Sequence, residues 1–375
     1  MKAFSAKRLL ACGLTIALLL ASSFLVSCAP NPWEEVRATI ADESAKHYGF
    51  SLGFAGDICF ADDEAPMIHL AQLDSTDISD GIDQRFLDIM NDMDLMWINN
   101  EFCFSDRGEA LEGKMFFFRS PTEHVRYLHD MGIDIVGLAN NHVYDFGEDA
   151  FQDTLTTLEE AGIPYVGAGR NLDEAMSPVY LETDGFVIGY VAASNAEIDI
   201  FTPEATETSG GILWCYDNTR FLEAIREASE HADYVIALPH WGDEHTTELQ
   251  ARQIEGAHAY IDAGADAVIG AHPHILQGME YYNGKPILYS LGNFWFDDYD
   301  IDTLVAEIRF VGDRDENGFA SLDDADVQVI LHVGTQTGAF TYFADTPEWR
   351  DSIYRHIESI SSNIWIDDDG VLHEA

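Results

Sequence analysis

The chain has 375 residues, 47% hydrophobic and 23% charged, enough for one large globular domain or two small ones. Its 67 acidic residues face only 19 Lys and Arg, a formal net charge of −48, and no local basic patch interrupts the surplus. That balance excludes a nucleic-acid surface or an anionic-membrane surface, so no nucleic-acid partner is expected. The acidic residues are spread along the chain and read as solvated faces.

The N-terminus is set apart. Lys2, Lys7 and Arg8 precede Leu9–Leu20, an apolar stretch too short to span a bilayer comfortably. Leu25-Val26-Ser27-Cys28 follows and resembles a bacterial lipobox, in which the cysteine is lipidated and becomes the new N-terminus. The resemblance implies a lipoprotein signal peptide over residues 1–27, lipidation of Cys28, and an extracytoplasmic protein anchored to the bacterial membrane. An ordinary secretory signal or an uncleaved anchor is the alternative. Residues 28–48 then read as a linker and 49–375 as one domain. Cys59, Cys103 and Cys215 are too few and too scattered for a disulfide framework, and read as buried hydrophobes.

The domain opens with an alternating run, Phe50-Ser51-Leu52-Gly53-Phe54-Ala55, which predicts a strand delivering Asp57 at its end. A helix is expected over Ile82 to Asp92, from Phe86, Ile89, Met90 and Met93 at helical spacing. The strand Leu95 to Ile98 follows and leads into Asn99-Asn100-Glu101. Phe116-Phe117-Phe118 reads as a buried strand, with an aromatic wall beside a site as the other reading. Ser120-Pro121-Thr122-Glu123 has the form of an N-cap for a helix ending near Gly132. The strand Ile133 to Leu138 runs into Asn140-Asn141-His142 and Asp145.

A helix over Glu148 to Ala161 precedes the strand and turn Ile163 to Gly169, which lacks the pattern of a dinucleotide site. Asp184-Gly185 marks a hairpin between Val179–Glu182 and Val187–Ala193. Asn195 to Trp214 is irregular and long enough to form a lid or substrate loop. A further helix reaches about Glu230, then the strand Tyr234 to Leu238 ends in Pro239-His240. The helix Glu248 to Ala263 leads to Ala267-Val268-Ile269, which ends in His272-Pro273-His274. A hairpin at Asn283-Gly284, strands near Thr303–Phe310 and Val327–Val333, and a helix Pro347 to Ser359 complete the domain. Between the last two strands, residues 313–324 approximate a calcium-binding EF-hand loop, but without flanking helices Asn317-Gly318 reads equally as a hairpin turn.

Successive strand ends therefore carry Asp57, Glu101, Asn141-His142, His240, and His272 with His274. In layered α/β folds ligand sites gather beyond the carboxyl ends of strands. Carboxylate, imidazole and amide donors suit divalent transition metals, Mn, Fe or Zn, better than Ca or Mg. Two such ions about 3.5–4 Å apart would activate water and clamp a phosphoryl or acyl oxygen, with Glu101 as the natural bridge.

These motifs, with Gly167-Ala168-Gly169, His240-Trp241-Gly242-Asp243-Glu244, Gln277 and Tyr289-Ser290-Leu291-Gly292-Asn293-Phe294, resemble the capsule-synthesis CapA family of poly-γ-glutamate synthesis proteins. The resemblance covers about residues 50 to 296, and the family's fold is similar to calcineurin-like metallophosphoesterases. It implies an α/β fold of four layers, α/β/β/α. It further implies Asp57, Glu101 and His274 on one metal, and Glu101, Asn141, His240 and His272 on the other. His142 would be the general acid, Asp145 its orienting partner, and Asn293 a substrate contact or a tie for its loop. Two departures stand out. Cys59 occupies the histidine position of the phosphoesterases' Asp-x-His, and Ala271 replaces a histidine common in the CapA family. The implied function is a dinuclear-metal hydrolase of capsule or anionic-polymer synthesis, acting on a cell-envelope polymer or phosphoester, with a polymer synthase or export complex as partner. The alternatives are a non-catalytic accessory factor and a metal-dependent γ-glutamyl amide hydrolase.

Overall fold

The structure is a computed structural model and describes residues 46–197, 201–297 and 299–375. The expected signal peptide, Cys28 and most of the linker lie outside the described residues. Alternation along Tyr234–His240 shows how the molecule is stacked. Tyr234, Ile236 and Leu238 enter one apolar core, while Val235 and Ala237 enter another. Phe186–Ser194 repeats the division, with Ile188, Tyr190 and Ala192 on one side and Val191 and Ala193 on the other. Such strands are apolar on both faces because both faces are covered. Helices Thr219–His231 and Ala251–Ala263 fill the second core through Phe221, Ile225, Ala257 and Tyr260.

The first core is shared with a second sheet. Tyr48 packs on Phe186 with ring centroids 4.9 Å apart, and Phe310 meets Tyr234 at the same distance. Each fully buried ring or branched aliphatic there contributes about 1.5–3 kcal/mol. Among the described residues the larger sheet has ten strands and the smaller six. In the larger, His47–Ile58 pairs in parallel with Leu95–Asn100 and antiparallel with Ile301–Asp313. Ile135–Gly137 continues the parallel side. In the smaller, Phe186–Ser194, Tyr234–His240, Ala267–Ile269 and Lys285–Leu288 are parallel neighbours. This is the mixed α/β class expected from the sequence, and parallel strands of both sheets carry Asp57, Glu101, His240 and His272 at or just beyond their carboxyl ends.

Several local expectations are corrected. Phe116-Phe117-Phe118 forms no strand: Phe116 and Phe117 are exposed and only Phe118 is buried. Ser120 does not cap a helix, because it lies in the short strand Arg119–Ser120 paired with Cys103–Phe104. A 3-10 turn, Thr122–Val125, precedes a short helix, Arg126–Asp130. The helix expected from Glu248 starts at Ala251, where Gln250 and Gln253 form a reciprocal capping box. Helices Ala65–Gln72 and Leu172–Met176 were not foreseen. The three described cysteines are buried and free. Residues 313–324 turn between the antiparallel strands Ile301–Asp313 and Asp326–Thr337, and Asp315 Oδ1 accepts from the backbone of Asn317 and Phe319.

One glycine positions the site. A Cβ at Gly56 would stand 1.8 Å from the Gly292 carbonyl oxygen, because Asp57 N donates to that oxygen at 2.9 Å. The contact brings Asn293–Trp295 alongside the end of His47–Ile58, with Asp57 opposite Asn293. The obstructing atom is backbone on both sides, so Gly56→Ala is expected to cost about 3 kcal/mol, the upper end of overpacking penalties. Chemical denaturation would measure this, and a variant within 1 kcal/mol of wild type would contradict it.

Candidate metal centre

Asp57 and Glu101 come from adjacent parallel strand ends and are both fully buried. Asn99 Nδ2 bridges them, donating to Asp57 Oδ1 at 2.7 Å and to Glu101 Oε2 at 3.1 Å. From the other sheet, His240 Nε2 lies 3.4 Å from Glu101 Oε1 and donates to Asn141 Oδ1 at 2.8 Å. His274 Nδ1 is 3.5 Å from Asp57 Oδ2, and its Nε2 is 3.8 Å from Glu101 Oε1. The ligand atoms of Asp57, Glu101 and His240 lie within 4.8 Å of one another, as do those of Glu101, His272 and His274. Glu101 is common to both groups. Five of the six residues expected to hold metal fall in these groups and Asn141 joins through His240, but the groups cut across the expected division, setting His272 with His274 and His240 with Asp57.

The donor set fits a divalent ion on two further counts. Glu101 Oε1 and His272 Nδ1 are buried side-chain atoms with no hydrogen-bond partner. Buried polar atoms are rarely left so unless something binds them. The backbone is also held in the left-handed region at His272 (φ 98°) and His274 (φ 60°), a conformation that L-residues adopt at a cost. Both imidazoles of the His-Pro-His run lie beside the Glu101 carboxylate.

Electrostatics point the same way. Burial raises the Asp57 carboxyl pKa, and burial together with the Asp57 charge pushes Glu101 well above its ordinary range. Burial pushes His240 and His272 well below the ordinary imidazole value, with repulsion from His274 adding to both shifts and repulsion from His272 adding to that of His240. These two imidazoles are therefore neutral and ready to coordinate, while protons compete with metal mainly at the carboxyls. Divalent-ion affinity is expected to fall steadily as pH drops from about 8 to 5. Titration calorimetry across that range checks this, and a flat profile would contradict it.

Beside the ligands, His142 Nδ1 donates to Asp145 Oδ2 at 2.7 Å, leaving Nε2 for a substrate. Burial lowers the His142 pKa, and the Asp145 charge partly offsets the shift. Phe118, the buried member of its triplet, packs on the His142 ring with centroids 4.4 Å apart. Asn293 Oδ1 accepts from His274 Nδ1 at 2.7 Å and its Nδ2 donates to Asp297 at 3.1 Å. Cys59 joins neither ligand group, and burial holds its thiol protonated by pushing the pKa well up. Ala271 serves through its backbone, bridging to His240.

Sequence reasoning assigned no role to Asn99, Asn140, Lys114 or Thr202. Asn140 Oδ1 accepts from the backbone of His142 and Val143, shaping the turn that presents Asn141 and His142. Lys114 Nζ pairs with Asp145 Oδ1 at 2.6 Å and donates to the Asn141 carbonyl, which also accepts from Thr202 Oγ1 at 2.8 Å. Thr202 lies in the stretch read as a lid or substrate loop, so part of that stretch packs against the centre. Polar asparagines flanking a ligand were visible in the sequence; nothing local signalled Lys114 or Thr202.

The profile of the family described as Bacterial capsule synthesis protein PGA_cap matches residues 51–298, which include every residue of the centre. The chain belongs to that family. The PGA biosynthesis protein CapA of Bacillus subtilis (strain 168) is 37% identical over 185 residues, 49% of this chain and 48% of the relative. The capsule biosynthesis protein CapA of Bacillus anthracis is 35% identical over 179 residues, 47% of this chain and 43% of that protein. A probable polyglutamine synthesis accessory protein of Mycobacterium tuberculosis is 30% identical over 218 residues, covering 55% and 56%. The chain spans about half the length of the curated relatives it matches. Similar solved structures include a novel phosphatase from Mycoplasma pneumoniae, with TM-score 0.45, 12% identity, and coverage of 83% of this chain and 99% of that one. A putative 5′-nucleotidase from Staphylococcus aureus gives TM-score 0.44, 16% identity, and coverage of 82% and 58%. The CapA resemblance carried by the strand-end motifs is the family membership found here.

Proposed function

We propose that this PGA_cap family protein is a metal-dependent hydrolase with phosphoesterase-like chemistry, acting in the synthesis of capsule or of an anionic polymer such as poly-γ-glutamate. It would work outside the cytoplasm, tethered to the membrane through Cys28 and near a polymer synthase or export complex. The observation that carries the hydrolase reading is the pair of unpartnered buried atoms, Glu101 Oε1 and His272 Nδ1, set among Asp57, His240 and His274. Asp57, Glu101, Asn141, His240, His272 and His274 would hold two ions of Mn, Fe or Zn. Such ions supply Lewis acidity toward water and toward a phosphoryl or acyl oxygen.

The chain's own residues have separate duties. Asn99 fixes the two carboxylates relative to each other, and Asn293 sets the His274 tautomer so that Nε2 faces inward. His142 gives a proton to the leaving oxygen as its bond breaks, and Asp145 holds the imidazole for that transfer. An accessory role without catalysis is the second reading, favoured by the name of the Mycobacterium tuberculosis relative. Metal analysis of the purified protein, with assays on bis(p-nitrophenyl) phosphate and on γ-glutamyl peptides, separates them. Bound metal and phosphodiester hydrolysis lost in His272→Ala support the proposal. Cleavage of γ-glutamyl peptides alone would make the enzyme an amide hydrolase, and metal-free, inactive protein would leave the accessory role.

A further inference from the structure

We infer that Lys114 is a positioning residue for His142, acting through Asp145 and through the turn that carries Asn141. The inference rests on the hydrolase reading for its kinetic consequence but not for its structural one. The Lys114 side chain is 1% exposed and lies between two carboxylates, 2.6 Å from Asp145 Oδ1 and 3.1 Å from Glu197 Oε2. Its third contact is the Asn141 carbonyl.

The loop that delivers it inverts the usual pattern. Met115 and Phe116, the next two residues, are 80% and 60% exposed, while the lysine is buried. Ordering long side chains this way runs against the hydrophobic effect and is expected where a position is needed for function. The loop is tied to its target from both directions. Leu111 N donates to the Asp145 carbonyl at 2.9 Å, and Phe118 N donates to Asp145 Oδ2 at 2.7 Å. Backbone, ammonium and imidazole thus divide Asp145 between them: Oδ2 accepts from Phe118 N and His142 Nδ1, and Oδ1 faces Lys114. Among the described residues Asp145 Oδ1 has no hydrogen-bond donor other than that ammonium to face.

The consequence is geometric. Without Lys114 the Asp145 carboxylate loses the charge that fixes Oδ1, and the acceptor that orients His142 is held on its own side by Phe118 N alone. The Asn141 carbonyl keeps Thr202 Oγ1, so the ligand turn is loosened less than the imidazole.

The test uses the full chain loaded with Mn2+ and bis(p-nitrophenyl) phosphate as substrate. Lys114→Met is expected to lower kcat about 10- to 100-fold, the range for groups that orient a ligand or catalytic side chain, with KM little changed. The double variant Lys114→Met/Asp145→Asn should be no slower than Asp145→Asn alone, because both changes remove one interaction. Lys114→Gln, which keeps a donor toward Asp145, should lose less activity than Lys114→Met and gives a second variant should the first not fold. Multiplying losses in the double variant, or a raised KM with unchanged kcat, would overturn the inference, the latter by making Lys114 a substrate contact. A second readout needs no turnover. Proton NMR of metal-free protein with isotope-labelled histidine should show a downfield, slowly exchanging His142 Nδ1 proton that is lost in Lys114→Met. If wild type hydrolyses nothing, the hydrolase reading fails alone; persistence of that proton in both lysine variants overturns the role of Lys114.

Discussion

Glu101→Gln is expected to abolish tight divalent-ion binding while leaving the metal-free protein as stable as wild type, or more so. Glu101 is fully buried and its carboxyl sits beside Asp57, with Asn99 sharing one amide between them. Burial and the Asp57 charge raise its pKa in the folded protein. A raised carboxyl pKa means that folding is most favourable below the ordinary glutamate range and weakens as pH rises through the raised value. Glutamine removes that penalty at neutral pH. It also removes the one ligand common to both donor groups. Wild type at a Mn2+ concentration about 100 times its dissociation constant should gain about 2.7 kcal/mol of stability, and the variant should gain almost none. Denaturant unfolding with and without Mn2+ measures both halves. A variant that keeps the full Mn2+ gain would remove Glu101 from the ligand set, and a destabilised metal-free variant would contradict the electrostatic account.

His142→Ala should leave metal binding within a few-fold of wild type and reduce hydrolysis about 100- to 10,000-fold, the usual worth of a positioned general acid. The separation is possible because His142 belongs to neither ligand group, and because Asp145 keeps Phe118 N and Lys114 when the imidazole is gone. The pH dependence has a definite sign. A general acid works in its protonated form, so kcat should fall as pH rises through the His142 pKa. Burial depresses that pKa and the Asp145 charge lifts it. Asp145→Asn removes the lifting charge, and the alkaline limb of the profile should move to lower pH. A limb that stays in place in Asp145→Asn would show that another group carries the proton.

Much of the centre was legible because its ligands are local signals. Asp57, Glu101, His240 and the His272–His274 pair each follow a short apolar strand, and strand ends can be read from alternation alone. The helix Gly147–Ala161, with Gly162 at φ 72° closing it, was legible for the same reason. What escaped depends on distance along the chain. Lys114 meets Asn141 across 27 positions and Thr202 meets it across 61, from loops without periodicity. Phe116-Phe117-Phe118 misled because apolar residues signal burial, and here two aromatics are exposed beside a buried lysine. Ser120 misled because its capping pattern was overridden by pairing with Cys103–Phe104, which engages its backbone in a strand.

The candidate ligands are divided evenly between the two sheets: Asp57, Glu101 and Asn141 lie at or beyond strand ends of the larger, His240, His272 and His274 at or beyond strand ends of the smaller. Elsewhere the sheets meet through side chains such as Tyr48 on Phe186 and Phe310 on Tyr234. An ion held at this end would therefore act as a cross-link between two halves of the fold, much as a disulfide would. In its absence the two halves are expected to loosen from each other at this end, and native-state hydrogen exchange should resolve two cooperative units. With the ion in place the two units should merge, so that amides beneath His240 and those beneath Asp57 exchange only through one common opening.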